Sequence, residues 1–200
     1  MKLISVLIGL SFFCFFPNQS TLNDSERKYA IGLFEESRQK LLAEVKGLTH
    51  EQLTFKAAPD KWSIAEVVEH ISITETTLAE IVEKSLKEPS DSSKRKEVKI
   101  SDQQIRLFVA NRTGKVQAPE AIKPTGLFSD NKVAMEYFTN ARNKNIDFLK
   151  TTQEDLRNRT WKHPLLGMID LYQVYVLISA HSERHTAQIV EMKQSANFPQ

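Results

Sequence analysis

The sequence contains very little cysteine, and this scarcity limits the chemistry open to the protein. Its 200 residues include one cysteine, Cys14, which lies in an apolar N-terminal segment. If that segment is removed after export, as proposed below, the mature chain has no thiol. Thiol nucleophiles, disulfides and zinc sites built on thiolates are then excluded, so any metal ion must be held by nitrogen and oxygen.

The chain also lacks an excess of charge of either sign. It has 27 lysines and arginines against 25 aspartates and glutamates, a formal net charge of +2. This balance gives no electrostatic basis for binding nucleic acid or an anionic membrane surface. The run Lys94-Arg95-Lys96 is followed directly by Glu97, so a solvated loop is favoured over a binding patch.

No apolar run is long enough for a transmembrane helix. The longest, Leu3–Phe16, has 14 residues, whereas a membrane span needs about 20. Lys2 precedes it and a polar segment follows, a pattern that predicts a secretory signal peptide over residues 1–20. We therefore expect an exported protein, periplasmic or secreted, with no membrane association after cleavage. An anchored or unprocessed form is the alternative, because Asn18 suits the cleavage rule poorly.

Residues 21–200 are expected to form one domain built from helices. There is no phosphate-binding glycine loop and no internal repeat. Apolar residues recur at helical spacing in four long segments, 23–47, 63–87, 129–153 and 170–194, and a shorter helix is predicted at 101–112. With no alternating strand pattern, the predicted fold is all-α: a four-helix bundle with a short extra helix in the long middle connection.

Helix starts and connections carry their own signals. Ser63 with Glu66 and Asp170 with Gln173 have capping-box spacing, and Ser129 is expected to cap the third long helix. Residues 89–99 are predicted to be a mobile loop. Residues 113–128 are predicted to be an extended connection that could cover a pocket. Residues 160–169, including His163, are expected to form a loop.

The last predicted helix carries the pair of residues that first suggests chemistry. His181 and His185 are about 40° apart on its apolar face, at about 100° per residue. Two imidazoles one turn apart can reach the same metal ion, since side chains at i and i+4 are neighbours. Two core histidines held by hydrogen bonds would give the same pattern, so a third ligand is needed.

His70 is the candidate third ligand. It lies two turns into the second predicted helix, at the edge of the apolar face. Metal sites in helical bundles are commonly built from inward residues of facing helices. If the second and fourth helices are neighbours, His70, His181 and His185 converge and leave positions open for water or substrate, as in a catalytic site.

Two segments resemble the signatures of a known family. APDKWSIAEVVEHI and HSERHTAQIVEMKQSANFP are similar to those of the DinB-like superfamily, which includes DinB and YfiT-like proteins regarded as metalloenzymes. The resemblance covers nearly the whole mature chain. It implies an up-down-down-up four-helix bundle, often dimeric, with a divalent metal ion on His70, His181 and His185. Relatives include S-transferases and isomerases that use small thiols, and proteins described as hydrolases.

Other side chains near the histidines have two interpretations each. Glu183 points away from both histidines of its helix and is excluded as a general base at their metal. Glu66 could support the site, although its capping role explains it fully. Arg184 and Gln188 could orient water or an anionic group, or could serve packing alone.

Three functions remain open from the sequence. The first is an enzyme that uses Zn²⁺, Ni²⁺, Mn²⁺ or Fe²⁺ to act on a small molecule, as a hydrolase or a small-thiol transferase. The predicted export counts against thiol transfer, because the thiol cosubstrates belong to the cytoplasm. The second is a non-catalytic metal- or ligand-binding protein of the cell envelope, and the third is a structural bundle with buried histidines.

Overall fold

The computed structural model describes residues 21–114, 116–128 and 130–200. The predicted signal peptide, residues 1–20, lies outside these ranges and stays a prediction. Within the described ranges, no helix combines the length and the apolarity that crossing a bilayer requires. The elements are α1 Asp24–Val45, α2 His50–Thr54, α3 Ile64–Leu86, α4 Asp102–Ala110, α5 Asn131–Thr151 and α6 Leu171–Lys193, two 3₁₀ helices at Ser92–Glu97 and Glu120–Ile122, and strands β1 Thr160–His163 and β2 Gly167–Asp170.

The four long helices form the predicted bundle. Both α1 and α3 pack against α5 and α6. One core layer joins the start of α1, the end of α3, the end of α5 and the start of α6, through Phe34, Val82, Leu149 and Val174. The other layer joins the opposite ends, through Leu41, Val67, Phe138 and Ile189. The helices therefore run up, down, down and up, and α3 and α6 are antiparallel neighbours.

This topology explains the long connection in the middle of the chain. Because α3 and α5 run in the same direction, the chain must return along a helix of 23 residues, about 35 Å at 1.5 Å per residue. The return segment contains both 3₁₀ helices and α4, which packs against α6. The extra helix predicted at residues 101–112 is thus confirmed, and Ser101 begins it with a capping box.

The helix starts follow the local sequence signals. Ser63 accepts from the Glu66 amide while Glu66 accepts from the Ser63 amide, and Asp170 and Gln173 are paired in the same way. These two boxes fix where α3 and α6 begin, and hence the register of their histidines. The predicted cap Ser129 lies outside the described residues, and Asp130 caps α5 by accepting from two amides of its first turn.

Three connections differ from the sequence predictions. Residues 160–169 are not a loop: β1 and β2 pair as an antiparallel hairpin, and His163 is the last residue of β1. Residues 89–99 are not a free mobile loop, since they include the 3₁₀ helix Ser92–Glu97, from which Arg95 binds the buried carboxylate of Asp170. The short helix α2 was not predicted either.

A buried ion pair joins all four bundle helices. The Arg142 guanidinium of α5 donates to Glu75 of α3 at 2.8 Å, and both side chains are at most 1% exposed. Arg142 also donates to the hydroxyls of Ser37 on α1 and Ser182 on α6. Because every helix contributes a partner, this network fixes the helices relative to one another at mid-height of the bundle.

Removal of one member of the pair should destabilise the protein strongly. Arg142→Met keeps the apolar stem but leaves the Glu75 carboxylate buried without its cation, so the free energy of unfolding should fall by about 3–5 kcal/mol. Urea unfolding followed by circular dichroism measures the change. Lys40→Ala, which removes an exposed i,i+4 pair with Glu36, is the control and should change stability by less than about 1 kcal/mol. Equal losses in the two variants would contradict this interpretation.

Candidate metal centre

The antiparallel contact of α3 with α6 brings three imidazoles together. His70 lies on α3, and His181 and His185 lie one turn apart on α6. The ring centroids are 4.9 Å apart for His70 and His181, 4.7 Å for His70 and His185, and 4.5 Å for His181 and His185. The structure therefore places the three predicted site residues in one cluster; that they bind a metal ion stays a prediction.

The spacing of the ring nitrogens suits a shared cation. One nitrogen from each ring can be chosen so that all three lie within 4.8 Å of one another. The Nε2 atoms of His70 and His181 are 3.2 Å apart. Two nitrogens bound to one tetrahedral zinc ion, each at about 2 Å, lie about 3.3 Å apart. The His70–His181 pair thus already has the separation that a common ion requires.

A backbone carbonyl determines the tautomer of His70. The Nδ1 atom of His70 lies 2.7 Å from the carbonyl oxygen of Ile122, which can only accept a hydrogen bond. Nδ1 therefore carries the proton in the neutral ring, and Nε2 has a free lone pair directed toward His181. Histidine ligands are usually oriented by such a bond from their other nitrogen.

A side-chain amide orients His185 in a similar way. The Nδ1 atom of His185 lies 2.9 Å from the amide oxygen of Gln188, one turn later on α6. With Nδ1–H donating to this oxygen, Nε2 of His185 is free to bind a cation. This contact favours the functional interpretation of Gln188 over a packing role alone.

The protein environment keeps the three rings neutral. Burial lowers the pKa of His70. Burial, together with the neighbouring histidines, lowers the pKa of His181 well below its ordinary value. Burial and the charge of His70 lower the pKa of His185 to about 3. Only a neutral imidazole has a lone pair for a metal ion, so the cluster is ready to act as a ligand set at neutral pH.

The other residues considered from the sequence have structural roles. Glu183 forms an ion pair with Arg106 of α4 at 2.7 Å, directed away from the cluster. Arg184 donates to the backbone carbonyls of Asn111 and Gly114 and so anchors the connection after α4. Glu66 completes its capping box and pairs with Lys56 at 2.8 Å. Among the described residues, none of these three forms a hydrogen bond with the histidines, although the charge of Arg184 helps to lower the pKa of His181 and His185.

Two residues beside His70 have contacts that were not predicted from the sequence, although Trp62 belongs to one of the two signature segments. Glu69 is fully buried and accepts hydrogen bonds from the connection that leads into α5. Trp62 has its ring centroid 4.7 Å from that of His70 and forms one wall of the cluster. The position of Glu69 next to a candidate ligand can be read from the sequence. Its burial cannot, because helical periodicity alone does not show whether a residue at the edge of an apolar face is buried.

Comparison with known proteins places the chain in a family. A model of the DinB superfamily matches residues 33–189, which is most of the sequence. The chain belongs to the DinB superfamily. This confirms the resemblance inferred from the two histidine-bearing segments.

Two relatives extend the comparison. In sequence, the chain is similar to the uncharacterized protein YuaE of Bacillus subtilis strain 168, at 26% identity over 164 residues, covering 82% of this chain and 97% of YuaE. In structure, it is similar to YfiT of Bacillus subtilis, described as a probable metal-dependent hydrolase with an unusual four-helix bundle topology. That match has a TM-score of 0.60 and 17% identity, and covers 92% of this chain and 95% of YfiT. At this identity, YfiT shows the shared fold alone.

The neutral histidines predict how stability depends on pH in metal-free protein. Below about pH 6.5 the unfolded chain takes up protons that the folded cluster does not, so the free energy of unfolding should fall with falling pH by up to about 1.4 kcal/mol per unit for each histidine. For His185 the loss should continue toward a pH of about 3. Urea unfolding in chelator at pH 7, 6 and 5 measures the slope.

A variant isolates the contribution of the cluster. His185→Gln removes one of the titrating rings, so its stability should vary less steeply between pH 7 and pH 5 than that of the wild type. Above pH 7 the two slopes should agree, because both folded and unfolded histidines are then neutral. If the unfolding free energies of the two proteins vary in parallel over the whole pH range, the cluster is protonated as easily as free histidine.

Proposed function

We propose that this protein binds a divalent metal ion on His70, His181 and His185 and uses it to hydrolyse a small-molecule substrate. The observation that carries the proposal is the convergence of three neutral imidazoles, with nitrogens within 4.8 Å of one another. A closed structural site has four protein ligands, whereas three leave a coordination position open. The membership of the DinB superfamily and the fold shared with YfiT support the same conclusion.

The donor set limits which metal ions suit the site. Three imidazole nitrogens suit Zn²⁺, Ni²⁺ or Fe²⁺ and, less well, Mn²⁺, whereas Ca²⁺ and Mg²⁺ prefer oxygen. When bound, such an ion supplies Lewis acidity and lowers the pKa of a coordinated water. The residues around it hold the rings in place: the Ile122 carbonyl fixes His70, and Gln188 fixes His185.

The nearby carboxylates do not supply a general base. Glu66 is held by its cap and by Lys56, Glu183 by Arg106, and Glu69 by backbone amides of the following connection. Each of these carboxylates is thus engaged by a structural partner. Proton transfer in a hydrolytic reaction must therefore use another group, such as the substrate itself or solvent.

A second candidate function is non-catalytic binding of a metal ion or small ligand by the same three histidines. The engagement of all three neighbouring carboxylates favours this alternative, because a hydrolase usually places an acid or base beside the reacting atoms. The two functions share the metal site and differ in turnover. Metal binding without any turnover would favour the second.

We propose export for this protein as well, on the basis of the N-terminal sequence Met1–Ser20. An exported enzyme would meet little of the small thiols that cytoplasmic relatives use, which favours hydrolysis over thiol transfer. A homodimer is a further proposal, based on the frequent dimers among relatives. Mass spectrometry of the mature N-terminus and the mass of the native particle test these two points.

The metal site predicts a simple stoichiometry. Untagged protein should contain about one divalent ion per chain, and His70→Ala and His181→Ala should each lose most of it, because two imidazoles alone hold an ion weakly. Elemental analysis of the purified proteins measures this. His50→Ala, which changes an exposed histidine at the start of α2, is the matched control and should retain the metal. An equal, trace amount of metal in the wild type and in all three variants would refute the site.

Activity assays then distinguish the proposed functions. Metal-loaded protein should hydrolyse members of a panel of small esters, amides and phosphate esters, and should lose this activity in chelator and in His181→Ala. Addition of a small thiol should leave the rate unchanged. A strict requirement for thiol would replace hydrolysis by thiol transfer.

A further inference from the structure

One segment of the long connection packs against α3 and contacts His70 of the candidate metal centre. We call residues 119–128 the strap; it contains the 3₁₀ helix Glu120–Ile122 and ends at Phe128, just before α5. Most of its side chains are exposed, and Phe128 alone is buried in the core. Apolar burial therefore anchors the strap at one end only, and polar contacts must hold the rest.

Those polar contacts converge on one buried carboxylate. Glu69 Oε1 accepts from the amide and the hydroxyl of Thr125, at 2.7 and 2.8 Å. Glu69 Oε2 accepts from the amides of Gly126 and Leu127, at 2.9 and 3.1 Å. Three consecutive backbone amides and one hydroxyl thus surround a single carboxylate. Gly126 makes this possible because its φ of +83° turns the backbone into the left-handed region.

The charge of Glu69 makes this attachment strong. The side chain is 0% exposed, and its hydrogen bonds within the described residues come from three backbone amides and one hydroxyl, with no cation among the donors. A buried carboxylate without a cation needs several good donors, and hydrogen bonds to an ionised acceptor are stronger than those between neutral groups. Release of the strap would remove all four donors at once, so the strap is held tightly at Thr125–Leu127.

The same strap sets the orientation of His70. Ile122 lies three residues before Thr125, and its carbonyl accepts from Nδ1 of His70 at 2.7 Å. Glu69 and His70 are adjacent on α3, so one helix turn holds the strap at two points. We infer that Glu69 is a positioning residue: it fixes the strap so that the Ile122 carbonyl holds the proton of His70 on Nδ1 and leaves Nε2 free for the cation.

The inference rests on the proposed metal site for its functional consequence, but not for its structural test. Glu69→Gln keeps the size of the side chain and replaces one acceptor oxygen by an amide group. Whichever way that amide is turned, its hydrogens face either the Thr125 donors or the amides of Gly126 and Leu127. Half of the attachment is lost, and the strap should detach from α3.

The first measurement is the tautomer of His70 in metal-free protein, from ¹H–¹⁵N correlations of the ring nitrogens. Wild type should show the Nδ1–H form, and Glu69→Gln should show a mixture of both forms. The second is the dissociation constant for Zn²⁺, from competition with a chromophoric chelator. It should rise about 10- to 100-fold, the usual effect of losing support behind a ligand.

Glu183→Gln is the control for the chemical change. It converts to an amide a carboxylate that lies between His181 and His185 in the sequence but binds Arg106 of α4, so it should leave the His70 tautomer and the zinc affinity unchanged. A folded Glu69→Gln protein with the wild-type tautomer would overturn the inference, whatever its zinc affinity. If wild type binds no zinc while Glu69→Gln shifts the tautomer, the proposed function fails and the positioning role stands.

A pair of glycine variants tests the strap without altering α3, in case Glu69→Gln does not fold. Gly126→Ala and Gly47→Ala both introduce a side chain at positive φ, +83° and +75°, and at neither position would the new Cβ meet an atom within 4 Å. The backbone strain is therefore comparable. Gly126→Ala should shift the His70 tautomer and weaken zinc binding, whereas Gly47→Ala at the end of α1 should do neither. Equal behaviour of the two variants would also overturn the inference.

Discussion

The antiparallel contact between α3 and α6 is the constraint on which the candidate site depends. His70 lies in the first third of α3, whereas His181 lies at the middle of α6 and His185 one turn further on. Because α3 and α6 run in opposite directions, these positions come to the same height. The up-down-down-up order of the bundle provides this contact. The same order forces α3 and α5 to be parallel, and so creates the long return segment that contributes α4 and the strap.

The distribution of carboxylates around the cluster supports the neutral state of its rings. A carboxylate in contact with a histidine would raise the pKa of that ring and favour the protonated form. Here Glu75 binds Arg142, Glu183 binds Arg106 and Glu69 binds backbone amides of the strap. These three acidic groups of α3 and α6 are thus bound to structural partners, and burial, reinforced by neighbouring positive charge, keeps the pKa of the histidines low.

The parts of the fold that the sequence predicted correctly are those specified by neighbouring residues. Helix periodicity and the capping boxes at Ser63 and Asp170 located α3 and α6 closely, because caps act within one turn. The hairpin 160–170 was missed because its strands have only four residues each and give little periodic signal. Arg95 was read as solvated because its partner, Asp170, is 75 residues away; a charge run carries no information about distant partners.

The sequence by itself determined the four long helices, the starts of α3 and α6, the three candidate ligands and the family, since all of these are encoded in local spacing and in short signature segments. Only the tertiary structure decided which groups surround those ligands. The carbonyl of Ile122 binds His70 on α3, and the carboxylate of Glu69 binds Thr125 of the strap. In each pair the two residues are more than 50 positions apart in the chain. Contacts of this kind arise from the way the long connection packs over the bundle, and no local pattern specifies them.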